Sequence, residues 1–235
     1  MADNRSNAAP AGAPGHEEAL ISSLPAVSRL ALAYAPAPAR LPTLALFALD
    51  VRLAGLLRNS REPMLAQLRL SWWRESLTQD HEKWPAGEPL LAALRSWNGQ
   101  HKALTSLVDG WEALTGAAPL PGEALRMMAQ GRAEAFAALA HALDRAHESR
   151  AAYSLGQQWG LADLAMRLGN AQEREMAASL AGSENGRARP RVSRSLRPLL
   201  VLQGLACRRM EKGDEAGATS PAAVLKALRL GLLGF

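Results

Sequence analysis

The sequence predicts an all-α protein that forms a single helical-bundle domain. Hydrophobic residues make up 48% of its 235 positions, enough for a sizeable core, and most of them are Leu and Ala, which favour helix. Strand formers are scarce, with only 2 Tyr and few Val, Ile and Thr. Apolar residues recur at helical spacing between short breaks rich in Pro and Gly, and nothing requires a second domain.

The chain begins with a segment of low helical character. Residues 1–17 are rich in Ala, Pro, Gly and Asn, so we expect a disordered tail before a helical domain over residues 18–235. The first helix should start near His16 and stop before Pro36, because a residue that precedes proline avoids the helical conformation.

Two long helices should follow. Residues 34–42 contain three prolines, which predict a connector without helix. Thr43 is the expected cap of a core helix that runs to about Arg58. After the first-turn signal Glu62-Pro63, apolar residues at helical spacing predict a core-packed helix over residues 64–78. These apolar residues are Met64, Leu65, Leu68, Trp72 and Leu77.

The remaining helices are separated by breaks at Pro85, Pro89, 119–122 and 213–220 and by a basic loop over residues 182–195. They are expected at about residues 90–97, 101–114, 123–145, 150–168, 172–181, 196–210 and 221–234.

Charge and composition exclude several classes of protein. The net charge is +5 and the pI is about 10.0, but the arginines are spread along the chain and no nucleic-acid-binding motif occurs, so we expect no nucleic-acid partner. The single Cys207 fits a reducing, cytoplasmic compartment and should be buried packing. We expect no secretory signal and no transmembrane segment, with at most a peripheral contact at the inner membrane face.

Several segments carry a family resemblance. Phe47-Ala48-Leu49 precedes the specific run Arg69-Leu70-Ser71-Trp72-Trp73-Arg74-Glu75, and weaker segments follow at 107–112, 155–161 and 194–206. In this order and spacing they resemble the squalene/phytoene synthase family over residues 25–234. The resemblance implies the isoprenoid synthase fold. For an active member it also implies head-to-head condensation of two prenyl diphosphates with Mg²⁺.

The aspartates that this chemistry needs are largely missing. Two acids three or four residues apart share a helix face and can hold Mg²⁺. Asp50 stands alone, because Ala54, Gly55 and Arg58 occupy the family's other aspartate positions. Asp163 has Arg167 at i+4 and should form an ion pair with it. We therefore expect no cofactor. The degenerate pattern resembles the branch that contains the mitochondrial complex I assembly factor.

Other residues offer alternative sites. Asp109 and Glu112 could share a helix face and bind a metal, as could His141, Asp144 and Glu148, although solvated faces are the simpler interpretation. Trp72 should pack in the core with Trp73 at its border, or else the pair lines a prenyl-chain cavity. Arg52, Arg58 and Arg61 surround the missing aspartates and could hold a phosphate. The candidate ligand-binding residues are Arg52, Arg58, Arg69, Trp72, Trp73, Arg74 and Arg167.

Three functional hypotheses follow from the sequence. The first is a family member without catalysis that acts in binding or assembly with a protein partner. The second is an active prenyltransferase with displaced acids, for which Asp50, Asp109, Glu112 and Asp163 are the candidates and Mg²⁺ the cofactor. The third is a metal-free module that binds an isoprenoid diphosphate or another lipid. It would be favoured if Arg52, Arg58 and Arg167 surrounded one pocket.

Overall fold

The computed structural model describes residues 14–59, 62–184, 190–213 and 220–234, and regular structure in these ranges is helical without any β-strand. This confirms the all-α class. The α-helices of the described residues are α1 (Pro14–Ser23), α2 (Ala26–Leu32), α3 (Ala37–Asn59), α4 (Pro63–Thr78), α5 (Pro89–Leu94), α6 (Thr105–Ala113), α7 (Gly122–Ala142), α8 (Ser149–Arg167), α9 (Ala171–Glu184), α10 (Arg197–Lys212) and α11 (Pro221–Leu228).

The first predicted helix is divided in two. Helix α1 begins at Pro14, so residues 14–17 are helical although they were predicted as tail, and residues 1–13 lie outside the described part of the chain. Pro25 separates α1 from α2, because it has no N–H to continue the helix and its ψ of 151° is extended. Helix α2 ends before Pro36, as predicted.

Helix α3 starts six residues before Thr43, so the prediction of a non-helical connector over residues 34–42 is wrong for its second half. Pro38 lies in the first turn, where the missing N–H has no partner to lose. Pro42 lies inside the helix and its carbonyl accepts a 3.1 Å hydrogen bond from the indole N–H of buried Trp97. Thr43 is therefore not a cap but a buried residue of the helix.

Helix α4 confirms the predicted helix, but four of the five residues expected in its core contact face solvent. Met64 is 77% exposed, Trp72 is 42% exposed, and Leu65 and Leu68 are exposed as well. The buried residues of α4 are Ala66, Leu70, Trp73, Ser76 and Leu77. Apolar residues lie on both sides of this helix, so their spacing alone did not identify the buried side.

The later helices form near their predicted positions, with ends that differ by a few residues from those predicted. Residues 90–97 form α5 and a 3-10 turn, and the left-handed backbone of Asn98 and Gly99 separates them from the next 3-10 turn and α6. Helix α7 ends at Ala142. In the predicted loop, residues 182–184 continue α9, while residues 185–189 are not described.

Helices α7 and α8 pack together at very short range. A Cβ added at Gly156 would lie 2.7 Å from the Cα of Ala133, and one at Gly160 would lie 2.9 Å from the Cα of Ala129. Both positions of α8 therefore require glycine. This close contact brings the middle of α7 against the middle of α8.

The centre of the bundle is filled. The rings of Phe136 and Trp159 stack with centroids 5.1 Å apart and planes at 11°. The small gap beside them, lined also by Leu46, Phe47 and Leu107, has no room for a water molecule. No prenyl-sized tunnel exists at this point of the described structure.

Candidate functional site

A buried charge network joins three helices at the centre of the molecule. Arg132 of α7 lies between Asp50 of α3 and Asp163 of α8. Its Nε and Nη2 donate to the two carboxylate oxygens of Asp50 at 3.1 and 3.0 Å, and its Nη1 donates to Asp163 Oδ2 at 3.0 Å. The Arg132 side chain is only 3% exposed. Such bidentate, charge-assisted hydrogen bonds fix the guanidinium in one orientation.

Aromatic side chains complete the enclosure of this network. The guanidinium carbon of Arg132 lies 4.2 Å from the ring centroid of Trp159 and 5.2 Å from that of Trp111. Trp111 also donates its indole N–H to Asp50 Oδ1 at 3.0 Å. The cation is therefore stabilised by two carboxylates and two aromatic faces.

Local sequence positions each member. Asp50 follows the apolar residues Leu46 and Phe47 on the inward side of α3, so helical spacing turns its carboxylate toward the core. Asp163 and Arg167 are four residues apart on α8 and form the predicted ion pair, with Arg167 Nε 2.7 Å from Asp163 Oδ1. Arg167 is the more exposed partner and faces a cavity.

The two carboxylates determine the charge of Arg132. Burial alone would lower the pKa of its guanidinium, but Asp50 and Asp163 outweigh that effect and hold the pKa above its usual value. With Arg167 included, two cations balance two anions, so the network carries no net charge.

These residues do not fit Mg²⁺. Three of the four carboxylate oxygens of Asp50 and Asp163 accept an N–H from Arg132 or Trp111, and the fourth, Asp163 Oδ1, is in an ion pair with Arg167. A guanidinium occupies the space between the acids, where a metal would meet strong repulsion. Among the described residues, no group of three His, Cys, Asp or Glu side chains is arranged to hold a metal ion.

A cavity of about 460 Å³ opens on the outer side of this network. Arg58, Arg167 and Arg209 come from three different helices and line it, and Arg58 has no carboxylate within ion-pair distance among the described residues. The apolar part of the lining is formed by Ala54, Leu57, Trp111, Leu114, Leu120, Leu164, Met166 and Leu168. The carboxylate of Asp163, paired with Arg167, also lines the cavity, which thus combines three arginines and one aspartate with apolar walls.

The structure does not bring all predicted arginines together. Arg52 and Arg69 line a separate groove between α1, α3, α4 and α5, of about 340 Å³, and Arg52 lies 3.5 Å from Glu88. Of the three arginines proposed to surround one pocket, Arg58 and Arg167 share a cavity and Arg52 does not. Arg61 lies outside the described residues.

The alternative metal pair is joined to an arginine of α4. Asp109 and Glu112 share a face of α6, as predicted, and both bind the guanidinium of Arg74. The hydrogen bonds that Arg74 donates to Glu112 and to Asp109 raise the pKa of its guanidinium. This cluster is half exposed and ties α4 to α6.

The other alternative acids are separated from one another. His141 is in the last turn of α7, Asp144 has a left-handed φ of 57° beyond the helix, and Glu148 belongs to a 3-10 turn. The expected alignment of these three residues on one helix is therefore wrong, because α7 ends too early. Glu148 instead accepts the backbone N–H of Ser193 at 2.7 Å.

The tryptophan pair is also corrected. Trp73 is buried and Trp72 half exposed, whereas the sequence suggested Trp72 as the core residue. Their rings meet edge to face at 5.0 Å, and neither lines the 460 Å³ cavity. Cys207 is buried, as expected, and its sulfur lies 3.3 Å from Gln203 Nε2.

Sequence reasoning missed Arg132, Trp111, Trp159 and Arg209. A signal for Arg132 existed: its neighbours three and four residues away on α7, Met128, Ala129, Ala135 and Phe136, are all apolar. A single cation on such a side indicates a buried ion pair. Its two partners are 82 and 31 residues away, so no local pattern identified them.

Comparison with known proteins does not identify a family. No protein-family model, curated protein or solved structure gives a significant match to this chain. Among the described helices, none has both the length and the continuous apolar character needed to cross a bilayer.

Proposed function

We propose that this chain is a non-catalytic protein of the squalene/phytoene synthase type, with a bundle of the isoprenoid synthase kind, which binds an anionic amphiphile without metal. One observation carries the proposal: Arg132 takes the position between Asp50 and Asp163 where a metal-dependent enzyme would need cations with free coordination sites.

The observation argues against the prenyltransferase hypothesis. Ionisation of a prenyl diphosphate needs a cation that neutralises charge on the leaving group. In this chain both acids bind the guanidinium of Arg132, and the alternative acids Asp109 and Glu112 bind Arg74. The filled centre also leaves no room for a long prenyl chain beside these groups.

The composition of the 460 Å³ cavity supports an amphiphilic ligand. Arg58 and Arg167 can donate to a phosphate or carboxylate, since guanidinium groups match the geometry of these anions. Leu57, Leu114 and Leu164 offer an apolar surface for a short tail. The volume of about 460 Å³ is in the range of small-molecule pockets, which supports a phosphorylated ligand with a short apolar chain.

A second candidate function is assembly with a protein partner. The exposed residues Met64, Leu65, Leu68 and Trp72 form an apolar stripe on α4. Stripes that combine Trp with Met and Leu are typical of protein interfaces. This role is compatible with ligand binding, because the stripe does not line the cavity. The proposed compartment is the cytoplasm.

Calorimetry with geranyl and farnesyl diphosphate, with and without Mg²⁺, tests the proposal. We expect binding that does not depend on Mg²⁺ and no release of diphosphate in a single-turnover assay. Arg58→Gln should weaken binding about tenfold, since it removes one charged contact. The matched control is Arg52→Gln, six residues earlier on the same helix and outside the cavity. Mg²⁺-dependent diphosphate release that Asp50→Ala abolishes would refute the proposal.

A further inference from the structure

The C-terminal helix has its large apolar residues on the wrong side for a helix that faces water. Helix α11 and the π-helical turn Arg229–Leu233 bury three small residues against the protein, Ala223, Ala227 and Gly231, and a single large one, Leu230. The outer side carries five large aliphatic residues that are 40–67% exposed. These are Val224, Leu225, Leu228, Leu232 and Leu233. A helix on the surface of a soluble protein normally shows the opposite arrangement.

This exposure comes from close packing of the inner side. A Cβ added at Gly231 would lie 2.1 Å from Tyr34 Cδ1, so the helix approaches the body as closely as its backbone permits. Arg197 of α10 donates to the carbonyls of Gly231 and Leu232 and ties down the last turn. The leucines are thus held outward on a firmly docked segment.

We infer that the aliphatic face of α11 binds the surface of an anionic lipid bilayer. An amphipathic helix that lies in the plane of a membrane combines an aliphatic face with flanking cations. Lys226 and Arg229 stand on this segment, and residues 216–235 contain no acid. Arg208 of α10 adjoins the same groove as these two residues. The aliphatic face can enter the acyl layer while the cations meet lipid phosphates.

The chemistry of the face favours lipid over a second copy of the chain. Stable homodimers bury about 1,200–2,000 Å² or more, and their interface cores are rich in aromatic residues. Residues 220–235 contain one aromatic residue, Phe235, and the large exposed apolar side chains of α11 and the turn that follows it are all Val or Leu. Aliphatic side chains suit insertion among acyl chains, which demands apolar area but no shape match.

Sedimentation of the full-length chain with vesicles tests the inference. We expect binding to vesicles of phosphatidylcholine mixed with phosphatidylglycerol, and weaker binding to phosphatidylcholine alone or at high salt. Leu225→Glu should reduce partitioning about tenfold, because it removes most of the apolar area of one leucine and adds a like charge to the lipid. The matched control is Leu68→Glu on α4, since both leucines are 67% exposed.

Three outcomes would overturn the inference. The first is an absence of vesicle binding by the wild-type chain, and the second is an equal loss in the two variants. The third is a stable dimer in sedimentation velocity that Leu225→Glu dissociates, which would assign the face to a second copy. Ligand binding in the 460 Å³ cavity should be unchanged in Leu225→Glu, because α11 does not line that cavity.

Discussion

Replacement of Arg132 by Met removes the cation of the buried network while preserving most of the side-chain volume. The change breaks three hydrogen bonds, two to Asp50 and one to Asp163. Loss of one partner of a buried ion pair costs about 3–5 kcal/mol, because the remaining charge is left without compensation. Trp111 and Arg167 still bind one oxygen of each carboxylate. We therefore expect the free energy of unfolding to fall by about 3–4 kcal/mol.

Urea unfolding followed by circular dichroism measures this loss. The control is Arg74→Met, which also separates an arginine from two carboxylates but at a site where the arginine is 35% exposed. Exposed pairs contribute roughly 0–1 kcal/mol, so the control should change little. A loss below about 1 kcal/mol for Arg132→Met, or equal losses in the two variants, would refute the argument. The double variant Asp50→Asn/Arg132→Met should lose less than the sum of its single variants, because it leaves fewer unpaired charges.

Three other perturbations follow from the packing. Burial lowers the pKa of His101 below 6.5, so the unfolded state takes up a proton as the pH falls through 6.5 while the folded state does not. The free energy of unfolding, measured with urea, should therefore be highest above that pH and decline below it. The variant His101→Gln should lose this decline. Phe136→Ala removes the ring stacked on Trp159 and should reduce the free energy of unfolding by about 3–5 kcal/mol; a loss below 1 kcal/mol would mean that the centre repacks. Gly156→Ala should destabilise the protein by about 1–3 kcal/mol in thermal unfolding. Gly182→Ala in α9 should be neutral or stabilising, because no atom lies within 4 Å of the added Cβ. Equal effects of the two substitutions would contradict the close packing of α7 and α8.

The sequence was sufficient for the class of fold and for most helices, because Leu and Ala at helical spacing interrupted by Pro and Gly leave few alternatives. It failed where tertiary contacts override local rules. Pro42 was expected to exclude helix, but its carbonyl gains the indole of Trp97 as a donor. The side of α4 that is buried was misassigned, because Leu68 and Leu70 are equally apolar and only the neighbouring helices distinguish them.

The sequence identified the two acidic residues of the candidate site but not the arginine between them. Asp50 and Asp163 were recognised as isolated acids, and the Asp163–Arg167 pair was correctly anticipated from its i,i+4 spacing. Arg132 could not be assigned to them, because long-range partners depend on how α7 crosses α3 and α8. That crossing is set by small residues such as Gly160, whose effect appears only in the packed structure.

The fixed cation is the reason why we propose binding without chemistry at this site. In a metal-dependent site the acids gain their compensating charge only when metal and diphosphate arrive together, so they stay accessible to solvent and ligand. Here Arg132 supplies that charge permanently, and the aromatic faces of Trp111 and Trp159 enclose it. The buried part of the network, Arg132 with Asp50 and Asp163, supplies no net positive charge for an incoming anion. In the proposed binding mode the attraction comes from Arg58 and from the outer side of Arg167 at the cavity, and the Arg58→Gln variant tests the first of these.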